Sequence, residues 1–118
     1  MDTASRIFSV EDFIHPSEGE PFRSVVLQTD EAAIVVWHVA PGQEIEAHVH
    51  PHGQDTWTIT AGEADYYKGG GETVRLKVGE IAVAKPGQVH GAKNSGTEPF
   101  IFVSVVTSIH AGYVLAEK

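Results

Sequence analysis

The sequence predicts an all-β domain, either a closed barrel or a two-sheet sandwich, and three observations carry that prediction. Short runs rich in β-branched and aromatic residues recur along the chain. Gly, Pro, Asp and Asn clusters punctuate them at the spacing of a sandwich or barrel. Only residues 7–14 could form a helix. A chain of 118 residues, 42% of them hydrophobic, is the size of one domain with a packed core. Residues 1–23 are expected to pack on the barrel as an N-terminal segment, 24–107 to form its core, and 108–118 to form a C-terminal tail.

The elements follow in order. "SVVLQT" (24–29) and "AIVVWHV" (33–39) read as strands separated by "TDEA". "PGQE" (41–44) is a turn, followed by "IEAHVH" (45–50) and "DTWTIT" (55–60). "EADYYK" and "ETVRLKV" flank Gly69, Gly70 and Gly71 as a hairpin. "EIAVA" (80–84) precedes a second turn, "KPGQ" (85–88), and "PFIFVSVVT" (99–107) is the last strong strand. That last strand is apolar on both faces, whereas a strand with one solvated face alternates. One face is expected to meet the interior. The other is expected to meet either the N-terminal segment or a second subunit, which makes a homodimer the expected assembly.

Composition excludes several function classes. Sixteen acidic residues against eight basic ones give a net charge of -8. Phosphate backbones and anionic membrane surfaces require Lys/Arg clusters, so neither nucleic acid nor a membrane is an expected partner. The absence of cysteine removes disulfides, zinc-thiolate sites and thiol nucleophiles, so a metal must be held by nitrogen and oxygen. The N-terminal residues lack a basic start and an apolar stretch, and no apolar run is long enough to span a bilayer; a cytoplasmic location is expected.

The chemistry concentrates in "EAHVHPHGQDTW", residues 46–57. Side chains two apart on a strand share a face, so His48 and His50 project together, as chelation requires. Imidazoles suit Zn, Fe, Ni, Cu and Mn, and an amide or carboxylate oxygen can complete the shell. Asp55 shares a strand face with Trp57 and Ile59, and Gln54 shares the other with the threonines. The apolar face should point inward, which favours Asp55. A bulge after Gly53 would exchange the two, leaving Gln54 as the alternative oxygen ligand.

Together with "GEIAVAKPGQVHGAKNSG" (79–96), this stretch resembles the two motifs of the cupin superfamily, in its small single-domain form. Gly42, His48, His50, Asp55 and Gly62 fit the first motif, with aspartate in place of the usual glutamate. Gly79, Gly87, His90 and Asn94 fit the second, with Lys85 at the usual proline position and Pro86 one place later. The resemblance implies a double-stranded β-helix, or jelly-roll barrel. It also implies one divalent metal ion (Mn, Fe, Zn, Ni or Cu) held by His48, His50, His90 and one oxygen. His52 lies off the His48/His50 face and His38 sits on a strand; either could be a pocket or outer-sphere residue, although a solvent-facing or hydrogen-bonded histidine is the commoner case. Trp57 and Tyr66 are core candidates that could also line the pocket. No catalytic residue beyond the ligands is identified.

The resemblance implies a metal-dependent enzyme acting on a small organic molecule: a dioxygenase, an isomerase or a sugar-acid-converting enzyme. A non-catalytic module that binds a small molecule or metal is the alternative, because fold does not determine function. A purely structural metal is the third reading.

Overall fold

The computed structural model describes residues 5–118. Ten strands follow one short 3₁₀ turn at Val10–Phe13. They are β1 (Phe22–Gln28), β2 (Ala33–Val39), β3 (Glu44–Val49), β4 (Gln54–Ala61), β5 (Glu63–Gly69), β6 (Glu72–Lys77), β7 (Ile81–Ala84), β8 (His90–Lys93), β9 (Phe100–Thr107) and β10 (Val114–Leu115). They form two five-stranded sheets, ordered β1-β2-β9-β4-β7 and β10-β3-β8-β5-β6. The order interleaves early and late strands, as expected for a double-stranded β-helix.

The sequence prediction differs from the structure at three places. The helical expectation over 7–14 shrinks to the 3₁₀ turn, which has no side-chain cap and no buried residue of its own. Two strands are additional. β8 is short and begins directly after the 85–88 turn, so its four residues carry too little periodicity to be read. β10 lies in the expected tail, and it adds an edge strand by pairing Val114 with Val49 and Leu115 with His48.

The core lies between the sheets. Trp57 and Ile59 of β4 meet Phe100 and Phe102 of β9, each at most 2% exposed. The Trp57 and Phe102 rings stack at 4.0 Å, and Tyr66 of β5 packs edge-on to Trp57 at 5.3 Å. Aromatic pairs in these geometries stabilise beyond their buried area. Alternation along β4 is clean: Asp55, Trp57 and Ile59 are buried, while Thr58 and Thr60 are exposed.

The doubly apolar β9 finds cover on both faces. Phe100 and Phe102 face the core, while Val103, on the outer face, lies with Ile34, Val36 and Val26 against Phe8 and Phe13 of the N-terminal segment. No helix among the described residues is long and apolar enough to cross a membrane.

Candidate metal centre

The site begins with an irregularity in β3. Ile45 pairs with Ala92 and His48 with His90, so three steps on β3 match two on β8. This bulge lets Ile45 and His48 face the interior together, which strict alternation forbids. Gly91 lies opposite the bulge. A Cβ there would sit 2.7 Å from the Ile45 carbonyl oxygen, 2.9 Å from that of Glu46 and 3.0 Å from the Ala47 Cα. Only a glycine allows the two backbones to approach closely enough to pair His48 with His90.

Four side chains converge on one point. His48 and His90 come from β3 and β8, His50 from the end of β3, and Asp55 crosses over from β4 in the other sheet. Each offers a donor atom, and these atoms all lie within 4.8 Å of one another. The Asp55 Oδ2 lies 3.1 Å from His90 Nε2 and 3.4 Å from His50 Nε2. His48, Asp55 and His90 are buried and His50 is half-buried. Gln54 faces outward, where its amide lies 3.4 Å from the Thr56 hydroxyl.

Each histidine is oriented by its other nitrogen. His48 Nδ1 lies 2.7 Å from the Glu46 carbonyl, His50 Nδ1 2.6 Å from that of Gly112, and His90 Nδ1 3.1 Å from that of Gln88. A carbonyl only accepts, so each Nδ1 must carry a proton, and a ring that is neutral then has its bare lone pair at Nε2, the nitrogen turned to the cluster. Metal-ligating histidines are held in the same way. Asp55 is anchored too: Ser104 of β9 donates to its Oδ1 at 2.6 Å.

The electrostatics follow from this packing. Burial pulls the His48 imidazole down to about 4, so it stays neutral at ordinary pH. Burial works against the Asp55 charge, but the His50 and His90 rings, which donate to it when Nε2 is protonated, and the Ser104 hydroxyl hold its carboxyl well below the usual range. Asp55 in turn raises His50, against burial and the positive charge of Arg23. Three lone pairs and a carboxylate turned toward one point repel each other unless a cation sits among them. The donor set, three nitrogens and one oxygen, fits a borderline divalent ion, with room for further ligands on the cavity side.

That cavity has a volume of about 430 Å³. Val35, Trp37, Val106 and Trp57 supply apolar walls beside His48, His50 and Asp55. Arg23 of β1 and Tyr113, just before β10, also line it. Tyr113 stacks on the His48 ring at 4.6 Å. Sequence reasoning missed Arg23, Ser104 and Tyr113. Arg23 sits on an edge strand opposite Trp37, Ser104 inside an apolar run, and Tyr113 in the expected tail. Only the polar residues interrupting apolar runs hint at them.

The remaining sequence candidates separate cleanly. Trp57 lines the cavity, 6.0 Å from the His90 ring. Tyr66 lies behind Trp57, and burial pushes its hydroxyl up to about 12. His52 is exposed. His38 is buried but does not face the cavity: its neighbour Trp37 does, and His38 shares the outer face with Val36. Its Nδ1 has no partner among the described residues. Lys85 has a use where proline is usual, since its backbone N–H donates to Gln88 Oε1 at 2.9 Å, which a proline could not do. The turn survives and docks through Gly87 N–H to the His50 carbonyl at 3.0 Å.

Comparisons with known proteins agree with this architecture. The family model described as "Cupin domain" matches residues 35–106. A structure from Klebsiella pneumoniae subsp. pneumoniae MGH 78578, described as an uncharacterized conserved protein with a double-stranded beta-helix domain, is 65% identical with a TM-score of 0.93. The match covers 98% of this chain and 100% of that one. DMSP lyase DddQ from Ruegeria pomeroyi DSS-3 is 25% identical with a TM-score of 0.65, over 75% of this chain and 44% of that one. A predicted oxalate decarboxylase from Thermotoga maritima shares the fold at 19% identity and a TM-score of 0.70, over 75% and 81% of the two chains. A search of curated proteins finds no match. Two interleaved antiparallel sheets, a histidine–aspartate cluster between them and the match over residues 35–106 lead to one assignment: the chain belongs to the cupin family.

Proposed function

We propose that the protein is a metal-dependent enzyme acting on a small organic molecule. His48, His50, His90 and Asp55 would hold one divalent ion: Mn, Fe, Zn, Ni or Cu. The observation that carries this reading is the set of three Nε2 lone pairs, each fixed by a carbonyl at Nδ1, aimed with a buried carboxylate at one point. The ion would supply Lewis-acid polarisation of a bound oxygen, or redox chemistry if it is Fe, Mn or Cu. The protein's own part is to seat the substrate against Trp37 and Val35 and to exclude water from the inner cavity. The likeness to DMSP lyase DddQ supports an enzymatic role in general terms.

One observation favours a second reading, a non-catalytic binding module. Apart from the proposed ligands, the cavity wall carries, among the described residues, no carboxylate and no free imidazole to serve as a general base. A purely structural ion fits less well, since the cluster opens onto a cavity and structural sites are normally closed.

The test is elemental analysis after reconstitution with Mn, Fe, Ni and Zn. About one ion per chain is expected, and none in His48→Ala. Wild-type protein that holds no metal under any of these conditions overturns the assignment. Turnover is then assayed on diketones, oxalate, catechol-type compounds and uronic acids. Metal-loaded protein inert across that panel transfers weight to the binding module.

The same proposal includes a homodimer in a cytoplasmic setting. The outer face at the β7 edge aligns Val83 with Thr56 and Val105, and Ile81 with Thr58, beyond the part of β9 that the N-terminal segment covers at Val103. Ile81 is 62% and Val83 47% exposed, an apolar edge suited to a second copy about a two-fold axis.

A further inference from the structure

From the cavity wall opposite the histidines we infer that Arg23 is the specificity-determining group, and that the ligand is a small carboxylate whose charged end it clamps. The inference rests on the metal reading for the contact at the ligand's other oxygen.

Three observations lead there. Among the described residues Arg23 is the only lysine or arginine lining the cavity, and its register opposite Trp37 places it on the cavity-facing side of β1. It makes no ion pair among the described residues, although Glu20, Glu44 and Glu46 line the adjoining groove with it. Glu44 is engaged elsewhere, by the Tyr67 hydroxyl and by Lys118 at 3.2 Å. An arginine beside a cavity with its donor fork unused is a recognition group, because a guanidinium matches a carboxylate edge with two parallel hydrogen bonds.

The charge balance agrees. A divalent ion with Asp55 leaves the centre net positive, and Arg23 adds to it, in a chain of net charge -8. The inner end of the cavity would therefore attract an anion, in contrast to the acidic groove beside it, which Glu20, Glu44 and Glu46 line. Its walls narrow the choice further. The cavity, about 430 Å³, has room for an organic acid with an apolar part against Trp37, Val35 and Val106. A guanidinium pairs with a phosphate edge as well as with a carboxylate, so the apolar walls, and not the fork, favour an organic acid, and inorganic phosphate serves as the control. The geometry suits a carboxylic acid with a neighbouring keto or hydroxyl oxygen, the acid on Arg23 and the second oxygen toward the histidines.

The experiment uses Zn-loaded full-length protein, with zinc content measured first. Binding of 2-oxoisovalerate, pyruvate, the methyl ester of 2-oxoisovalerate and inorganic phosphate is followed by tryptophan fluorescence and calorimetry. The free acids are expected to bind wild-type protein and to weaken at least about tenfold in Arg23→Ala, with Arg23→Lys between the two. The ester is expected to bind wild-type and Arg23→Ala alike. Zinc content should be unchanged in both variants, and Arg23 is exposed on an edge strand, so its truncation spares the core. The idea is overturned if the acids bind Arg23→Ala as tightly as wild type, if none binds zinc-loaded wild type, or if phosphate binds as well as the acids. Protein that takes up no zinc defeats the metal reading alone, and the acid-against-ester comparison in wild type and Arg23→Ala still decides the role of Arg23.

Discussion

Ser104 shows how much a single side chain contributes without being a metal ligand itself. It is 1% exposed in a strand whose other residues before Thr107 are valine, isoleucine and phenylalanine, and its hydroxyl holds Asp55 Oδ1 at 2.6 Å. Ser104→Ala should leave the carboxylate less well oriented and lower metal affinity about 10- to 100-fold, measured by competition with a chromophoric chelator. An unchanged affinity means that the two histidines orient Asp55 unaided. At Asp55 itself, replacement by alanine should abolish tight binding, and Gln54→Ala should not. The opposite result would mean that the oxygen ligand comes from the other face of β4. His38 provides a control, because it is buried but lies on the outer face of β2. His38→Ala should keep full metal content while lowering thermal stability.

At the scale of elements, the β3–β8 pair and the C-terminal strand decide the site. Gly91 permits the close approach across the β3 bulge, so Gly91→Ala forces the backbones apart and should destabilise the fold by about 1–3 kcal/mol. The predicted signature is joint: a lower denaturation midpoint and weaker metal binding, since β8 begins with His90. Loss of stability alone would separate the bulge from the site. The segment leading into β10 works differently. The Gly112 carbonyl orients His50, and Tyr113 covers His48. Gly53 lies beneath that segment, where a Cβ would fall 2.2 Å from the Ala111 Cβ and 2.8 Å from the Thr107 carbonyl oxygen. Gly53→Ala is therefore expected to displace Tyr113 and open the cavity, seen as increased acrylamide quenching of Trp37 and Trp57 fluorescence.

For the whole molecule, the cluster is a cross-link. Asp55 belongs to one sheet, His48 and His90 to the other, and His50 directly follows β3, so a bound ion ties the two sheets together. Ion at about a hundredfold excess over its dissociation constant adds about 2.7 kcal/mol, which raises the melting temperature by roughly 10 °C for a domain of this size. A chelator should reverse the shift, as calorimetry can check; a melting temperature indifferent to metal would argue that the donors do not bind it. Assembly is a second property at this scale. Val83→Glu introduces a charge into the apolar rungs of β7, β4 and β9 and should yield a monomer by light scattering if that face joins two copies. Retained dimer mass would place the contact elsewhere.

The sequence by itself determined the all-β class, eight of the ten strands and, away from the β3 bulge, the side of a strand that a residue occupies. Side-chain direction alternates with period two along a strand, so His48 with His50, and Asp55 with Trp57, could be read from neighbours alone. The distant His90 was legible only through the resemblance of two motifs, because spacing along the chain contains no distance across it. The tertiary structure decided the rest. It set the β3 bulge that turns Ile45 and His48 inward together, and the crossing of Asp55 to the histidines of the facing sheet. It also placed Arg23, Ser104 and Tyr113 around one cavity from an edge strand, an apolar run and an expected tail. These depend on strand register and on how two sheets close over each other, which arise from contacts between residues far apart in sequence.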